Sequence, residues 1–277
     1  MTGRFVEVAN GVHVFNEPLL DVNVTLVVGD GAALLVDTLS TAGQATELAA
    51  AARAVTTAPW TVVNTHHHFD HCFGNAVIAG QPPRPIYAHE RVTAALRGHP
   101  DRLRREAYDE VSAGWPALAP ALAATVLLAP THSVRTETLL DVGGRPVLLR
   151  HPGPGHTDGD LVVHVPDADV LIAGDLIEES GPPAFEDAYP LRWPDAVADL
   201  LRRCTATTVV VPGHGRPVDV DFVRAQHRQL TELAGLTRAG HRAGVAPERL
   251  AADAPFGPDA ALTAIRRGYA ELEATAP

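Results

Sequence analysis

The segment Thr65-His66-His67-His68-Phe69-Asp70-His71 contains the spacing His66-x-His68-x-Asp70-His71. Side chains two apart on an extended segment point the same way, so His66 and His68 can grip one ion, and a turn after them can aim Asp70 and His71 at a second. Imidazole with carboxylate is a ligand set suited to zinc, and also to iron or manganese. A solvated histidine-rich loop or a tag remnant would account for the imidazoles alone; this run is internal, follows an apolar stretch and includes a carboxylate. His67 alternates away from its neighbours and is expected to be packed or hydrogen bonded rather than a ligand. Three further loops begin where apolar runs end: Gly155-His156-Thr157-Asp158-Gly159 offers His156, Ala173-Gly174-Asp175-Leu176 offers Asp175, and Pro212-Gly213-His214-Gly215 offers His214. Their glycines let the backbone come close. Singly, each reads as a turn; at strand ends and in this order, they read together as donors.

The hydrophobic pattern supplies the elements that carry these donors. Residues 5–15 around Gly11, then 24–28 and 32–36 around Gly29-Asp30-Gly31, alternate as strands and hairpins. Residues 42–55 have helical composition, and the strand 60–63 leads into the first histidine cluster. A strand at 86–88 and a helix at 90–97 precede an Arg/Glu-rich then Ala/Leu-rich insertion at about 101–129, expected as two or three helices broken at Gly114-Trp115-Pro116 and Pro120. After it come a hairpin (138–141 and 146–150), strands at 161–165 and 170–173, and an irregular loop at 178–194. A helix at 195–203, a strand at 208–211 and a helical tail at about 221–277 complete the pattern. Strands, hairpin, strand-end loop with His and Asp, then helix occur once before the insertion and once after it. One domain over 1–277, made of two similar halves, fits this echo.

Bulk composition bounds the partners. Hydrophobic residues make up 46% and charged residues 20% of the 277, a globular balance that excludes disorder as the main state. The net charge of −11 argues against nucleic acid and anionic membrane surfaces and for a small-molecule substrate. All basic residues are Arg; the absence of Lys excludes a Lys Schiff base, a P-loop lysine and a Lys general base. Residues 1–7 carry no signal-peptide pattern and no stretch approaches the ~18 apolar residues of a membrane span, so a cytoplasmic location is expected. Cys72 and Cys204 are expected as free thiols, with Cys72 as buried filler.

With the motif at 65–71 and the later His156, Asp175 and His214 in order, the chain resembles the metallo-β-lactamase-fold hydrolase superfamily over most of its length. The resemblance implies an α+β, four-layer αββα sandwich: two mixed sheets face to face, helices outside, and the metal site at one edge. It further implies that His66, His68 and His156 hold a first metal, that Asp70, His71 and His214 hold a second, and that Asp175 bridges them. The acid at 175 resembles glyoxalase II and the lactonases; true β-lactamases of this fold usually have Cys or Ser there, and one subclass uses a Lys that this chain lacks. Water between two divalent cations ionises near neutrality, so the implied reaction is hydrolysis of a small ester, thioester or lactone by a metal-bridging hydroxide. Asp70 would orient that nucleophile or accept its proton.

Alternative readings are a β-lactam hydrolase, an iron-dependent oxidoreductase resembling the persulfide dioxygenases, a nuclease and a non-enzymatic metal-binding protein. The full second ligand set favours two metals over one iron, and diiron oxidoreductases of this fold usually carry Glu where His68 stands. Asp37 at the end of 33–36, and His89, are candidates for hydrogen bonding beneath the metals, with turn capping as the other reading of Asp37. Thr157 and Asp158 are expected to stabilise the His156 loop. Tyr108, Trp115, Phe185, Tyr189 and Trp193 are expected either to wall the pocket or to anchor loops. His13, His99, His132, His151, His164, His227 and His241 have no ligand context.

Overall fold

The computed structural model describes residues 3–274; residues 1–2 and 275–277, the ends of the expected 1–277 domain, lie outside the described residues. The N-terminal half lays down strands β1 (Val6–Ala9), β2 (Val12–Glu17), β3 (Val22–Val28) and β4 (Ala33–Val36). Helix α1 (Ala42–Val55) follows, then β5 (Trp60–Val63), β6 (Ile86–His89) and β7 (His132–Val134). The C-terminal half contributes β8 (Glu137–Val142), β9 (Arg145–Arg150), β10 (Val162–Val165), β11 (Val170–Glu178) and β12 (Val209–His214). Neighbours β2, β3 and β4 are antiparallel, whereas β4 through β7 run parallel. In the other half β8 through β11 are antiparallel and β11 pairs with β12 in parallel. Each half is therefore a mixed sheet, and one antiparallel pair, His214 with Val22, joins them into a continuous path.

Strand alternation builds the layers. Leu34 and Val36 of β4 and Val63 of β5 meet Val163 and Val165 of β10, Val170 and Ile172 of β11 and Val211 of β12 in one dry cluster, which is the interface between sheets. The intervening residues point outward. Leu35, Val62 and Leu26 pack on Ala45, Leu48 and Ala52 of α1 and on Ile78 of α3 (Asn75–Ala79). Leu171, Ala173 and Val210 share a cluster with residues of α7 (Trp193–Leu201), α8 (Val220–Arg242), α9 (Pro247–Ala251) and α10 (Pro258–Ala274). Burying each such Leu, Ile or Val stabilises the fold by about 1.5–3 kcal/mol. The result is the four-layer αββα sandwich. No described helix is long and apolar enough to cross a membrane.

The insertion forms α5 (Pro100–Gly114) and α6 (Ala119–Ala123), following α4 (Glu90–Gly98). The break at Gly114-Trp115-Pro116 stands where the sequence places it. Pro120 does not break a helix but sits in the first turn of α6, where its missing N–H costs nothing. Leu103, Ala107 and Val111 of α5 pack against Phe69, Cys72 and Phe73, so the insertion rests directly on the histidine motif. Helix α7 starts at Trp193 rather than 195, again with Pro194 in its first turn. Strands β11 and β12 also run further than their apolar cores, because backbone pairing is indifferent to side-chain polarity: Glu178 is registered against His214. Asp175 and His214 thus stand on strands rather than in loops.

Candidate metal centre

The chain leaves β5 after Val63 and bends through residues 65–68 rather than running on extended, and His68 becomes the N-cap of the one-turn helix α2 (Phe69–Cys72) that carries Asp70 and His71. His156 comes from the β9–β10 loop, Asp175 from the middle of β11 and His214 from the end of β12. The fold brings all of the sequence-expected donors together. His66, His68, His156 and Asp175 offer donor atoms within 4.8 Å of one another, and so, as a separate group, do Asp70, His71 and His214. Asp175 stands between the groups. Its Oδ2 is 3.6 Å from His66 Nε2 and 3.4 Å from His156 Nε2, and on the other side its Oδ1 is 3.1 Å from His71 Nε2 and its Oδ2 3.6 Å from His214 Nε2. Asp70 Oδ2 lies 3.2 Å from His214 Nε2.

Backbone and side-chain acceptors orient the rings. His71 donates its Nδ1–H to Asp37 (2.8 Å), His214 to the Leu20 carbonyl (2.8 Å) and His156 to the Ala184 carbonyl (3.3 Å), which turns each Nε2 inward. His66 Nδ1 faces Thr65 Oγ1 at 3.0 Å. Asp37 is buried, has φ +70°, and also accepts from the Thr65 backbone N–H and hydroxyl, both at 2.7 Å. It lies beneath the site, hydrogen bonded to the ligand loop. His89 does not: it caps α4, stacks on His151 at 4.1 Å and faces the Arg135 carbonyl. The carboxylate that fastens the His156 loop is Asp160, which accepts from the backbone and hydroxyl of Thr157. Asp158 faces outward, 3.9 Å from Arg91.

Glycines give the carboxylate room. A Cβ on Gly213 would fall 1.8 Å from Asp175 Oδ1. Gly213→Ala is therefore expected to push Asp175 out of register, lowering stability by about 1–3 kcal/mol and bound metal with it; a wild-type melting temperature and metal content would refute this contact.

Opposed charges dominate the site. Burial drives His156 down to about 4 and His66 well below its ordinary value. Burial also opposes protonation of His71 and His214, but the Asp175 and Asp70 carboxylates outweigh it and hold both above their ordinary value. Burial would raise Asp175 and Asp70, yet the surrounding imidazoles keep both below the usual carboxylate range. Glu178, absent from the sequence-based set, belongs to a further donor group with Asp175 and His214 and is pushed up to about 8 by burial and Asp175.

His68, Asp70, His156, Asp175, Glu178 and His214 line a cavity of about 870 Å³, while His66 and His71 are buried and do not reach its wall. Phe69, Phe73, Leu103 and Trp115 line one side, and the segment after β11, including Pro182 and Ala184, the other. Of the five loop aromatics only Trp115 lines it. Phe185 and Trp193 are buried in the outer core, with Trp193 donating to the Leu176 carbonyl and its ring 5.6 Å from His156. Tyr108 faces a shallow hollow on the other side of α5, and Tyr189 hydrogen bonds through its backbone to Gly155. The chain was indeterminate here because helix rotation and loop path, not residue type, set which face an aromatic presents.

The profile of the metallo-beta-lactamase superfamily matches residues 18–256. The chain belongs to the metallo-beta-lactamase superfamily. A metallo-beta-lactamase type 2 from Bacillus sp. (strain 170) is 27% identical over 161 residues, 57% of this chain and 52% of that protein, so the chain spans about half the length of the curated relatives it matches. A metallo-beta-lactamase from Pontibacter korlensis superposes with a TM-score of 0.65 at 21% identity, covering 83% of this chain and 99% of that one. The metallo-beta-lactamase FIM-1 from Pseudomonas aeruginosa, solved in its mono-zinc form, gives 0.64 at 20% identity, covering 84% and 97%. The superfamily fold is shared with both.

Asp187 has no counterpart in the sequence-based set. It stands 3.4 Å from His67 Nε2 and 3.3 Å from His68 Nε2. His67 and His68 both turn Nε2 to Asp187, and the three form a further donor group on the cavity wall. His67→Ala is expected to leave the metal content of the purified protein unchanged; a lost ion would make His67 a ligand. Cys72 donates its thiol to the His67 carbonyl, and burial pushes it well above its ordinary value; neither Cys72 nor Cys204 is paired.

Proposed function

We propose that this superfamily member is a dinuclear metal-dependent hydrolase of a small ester, thioester or lactone, with zinc as the ion and the cytoplasm as its location. The observation that carries the reading is the placement of one buried carboxylate, Asp175, within 3.6 Å of imidazoles from both donor groups. The donor chemistry fits a cation. His66 Nε2 is buried without a hydrogen-bond partner, and Asp175 Oδ1, although near His71, lacks hydrogen-bonding geometry. His66, His68 and His156 would hold one ion, Asp70, His71 and His214 the other, with Asp175 shared.

Two divalent ions in these positions supply Lewis acidity toward a carbonyl oxygen and a nucleophile from water at neutral pH. Asp70, ionised because His71 and His214 outweigh its burial, is placed to accept or orient a proton at Oδ2. Phe69, Phe73 and Leu103 exclude water and pack on the acyl part of the substrate. A nucleophilic thiolate at Cys72 is opposed by its burial.

β-Lactam hydrolysis is the second reading, favoured by the names of the curated relatives. Against it stand the carboxylate at 175 and the absence of Lys; the guanidinium on the cavity wall, Arg102, is already 3.7 Å from Glu106. Elemental analysis of the purified chain, with a panel of thioester, lactone, aryl ester and β-lactam substrates, tests both. Two zinc ions with turnover of an ester, thioester or lactone are expected. One iron with sulfide-dependent oxygen uptake and no hydrolysis would overturn the reading, and turnover of β-lactams alone would replace the substrate class.

A further inference from the structure

Four of the five candidate ligand histidines turn Nε2 to the centre and give Nδ1 to a neighbour: Thr65 Oγ1 for His66, Asp37 for His71, the Ala184 carbonyl for His156 and the Leu20 carbonyl for His214. His68 is reversed. Its Nδ1 faces inward, 2.9 Å from His156 Nε2, and its Nε2 faces the cavity wall. A neutral imidazole that gives Nδ1 to a metal must carry its proton on Nε2, and that N–H requires an acceptor if the tautomer and ring angle are to be held. Asp187 supplies it, with both carboxylate oxygens 3.3 Å from His68 Nε2.

Asp187 lies on the irregular segment between β11 and α7, so something must hold it still. Arg267 of α10 donates to the Asp187 carbonyl (2.9 Å) and the Ala188 carbonyl (3.1 Å). Arg238 of α8 donates to the Leu191 carbonyl at 3.1 Å, and Phe185 is wedged against Trp193 and Phe256. Arg267 lies beyond the residues 18–256 that match the superfamily profile.

We infer that Asp187 is the positioning residue for His68, holding its metal-facing Nδ1 free, and that the C-terminal helix acts on the metal centre by holding Asp187 through Arg267. The inference rests on the dinuclear reading for the role of His68 and goes beyond it in assigning Asp187 and α10. Asp187 is the acceptor; the proton stays on His68 Nε2 and no bond is made or broken. Its side chain is 42% exposed, so its removal opens no cavity.

The test is a cobalt(II) titration of the metal-depleted full-length chain, following both the visible d–d spectrum and affinity against a chelator. Asp187→Ala should weaken the tighter cobalt site by about 10–100-fold and change its spectrum, while the melting temperature of the metal-free protein stays at the wild-type value. Asp187→Asn, which restores a neutral acceptor, should recover part of the affinity, and Arg267→Gln should weaken it in the same direction. Unchanged affinity and spectrum in Asp187→Ala would overturn the assignment. So would a third ion lost from both Asp187→Ala and His67→Ala, which would make Asp187 a ligand. A wild-type chain that binds cobalt but hydrolyses nothing would sink the hydrolase reading and leave the cobalt comparison to judge Asp187 separately.

Discussion

Asp175→Ala is expected to abolish hydrolysis and to reduce bound metal toward one ion per chain. Asp175 is within 3.6 Å of imidazole nitrogens of His66, His71, His156 and His214 at once. Removing it takes a shared donor from both groups and the negative charge that offsets their cations. Residues that merely orient a ligand are worth about 10–100-fold in metal affinity; a donor common to two sites should cost more than that. The same change relieves the tight packing on Gly213, so the variant has no steric reason to unfold. Circular dichroism should show a folded protein, and elemental analysis with a turnover assay should show the loss. Wild-type activity with two ions bound would end the dinuclear reading.

The second large effect is expected at Asp37. Asp37→Ala strands a buried backbone N–H and hydroxyl on Thr65 and the Nδ1–H of His71. Breaking a buried charged network of this kind costs about 3–5 kcal/mol, readable as a fall in denaturant midpoint. Asp37→Asn separates folding from metal binding. The Thr65 N–H, 2.7 Å from Oδ1, keeps the amide oxygen on its side, so the amide NH₂ is left facing His71 Nδ1. That ring must then accept at Nδ1 and carry its proton on Nε2, the atom turned to the centre. Asp37→Asn should thus retain most of the stability yet lose metal affinity by about 10–100-fold. Equal affinity in Asp37→Asn and wild type would show that Asp37 does not govern the His71 tautomer.

Much of this site is legible in local spacing. The i, i+2 relation of His66 and His68, and the short turn that presents Asp70 and His71, are properties of seven consecutive residues, although the segment that carries the two histidines is bent rather than extended. Strand alternation likewise separates Leu34 and Val36 from Ala33 and Leu35, and with them the inner and outer faces of a sheet. What local spacing leaves open depends on residues far apart in the chain. Asp158 and Asp160 look alike in sequence, but only Asp160 folds back onto Thr157. Phe185, Trp193 and Trp115 are all aromatics near Pro, yet two are buried among helices and one lines the cavity.

The linear chain alone specifies the donor types, the pairings two and one residue apart and the order of strands and helices, because these depend on backbone periodicity and on hydrophobic alternation. Tertiary packing alone selects the distances. His214 reaches Asp70 because β12 pairs with β3 at Val22, Asp175 reaches both groups because β11 lies beside β12, and Asp187 reaches His68 because two C-terminal helices pin an irregular loop. Each of these approaches joins residues far apart in the chain. Their separation is fixed by sheet register and helix packing, which no local spacing encodes.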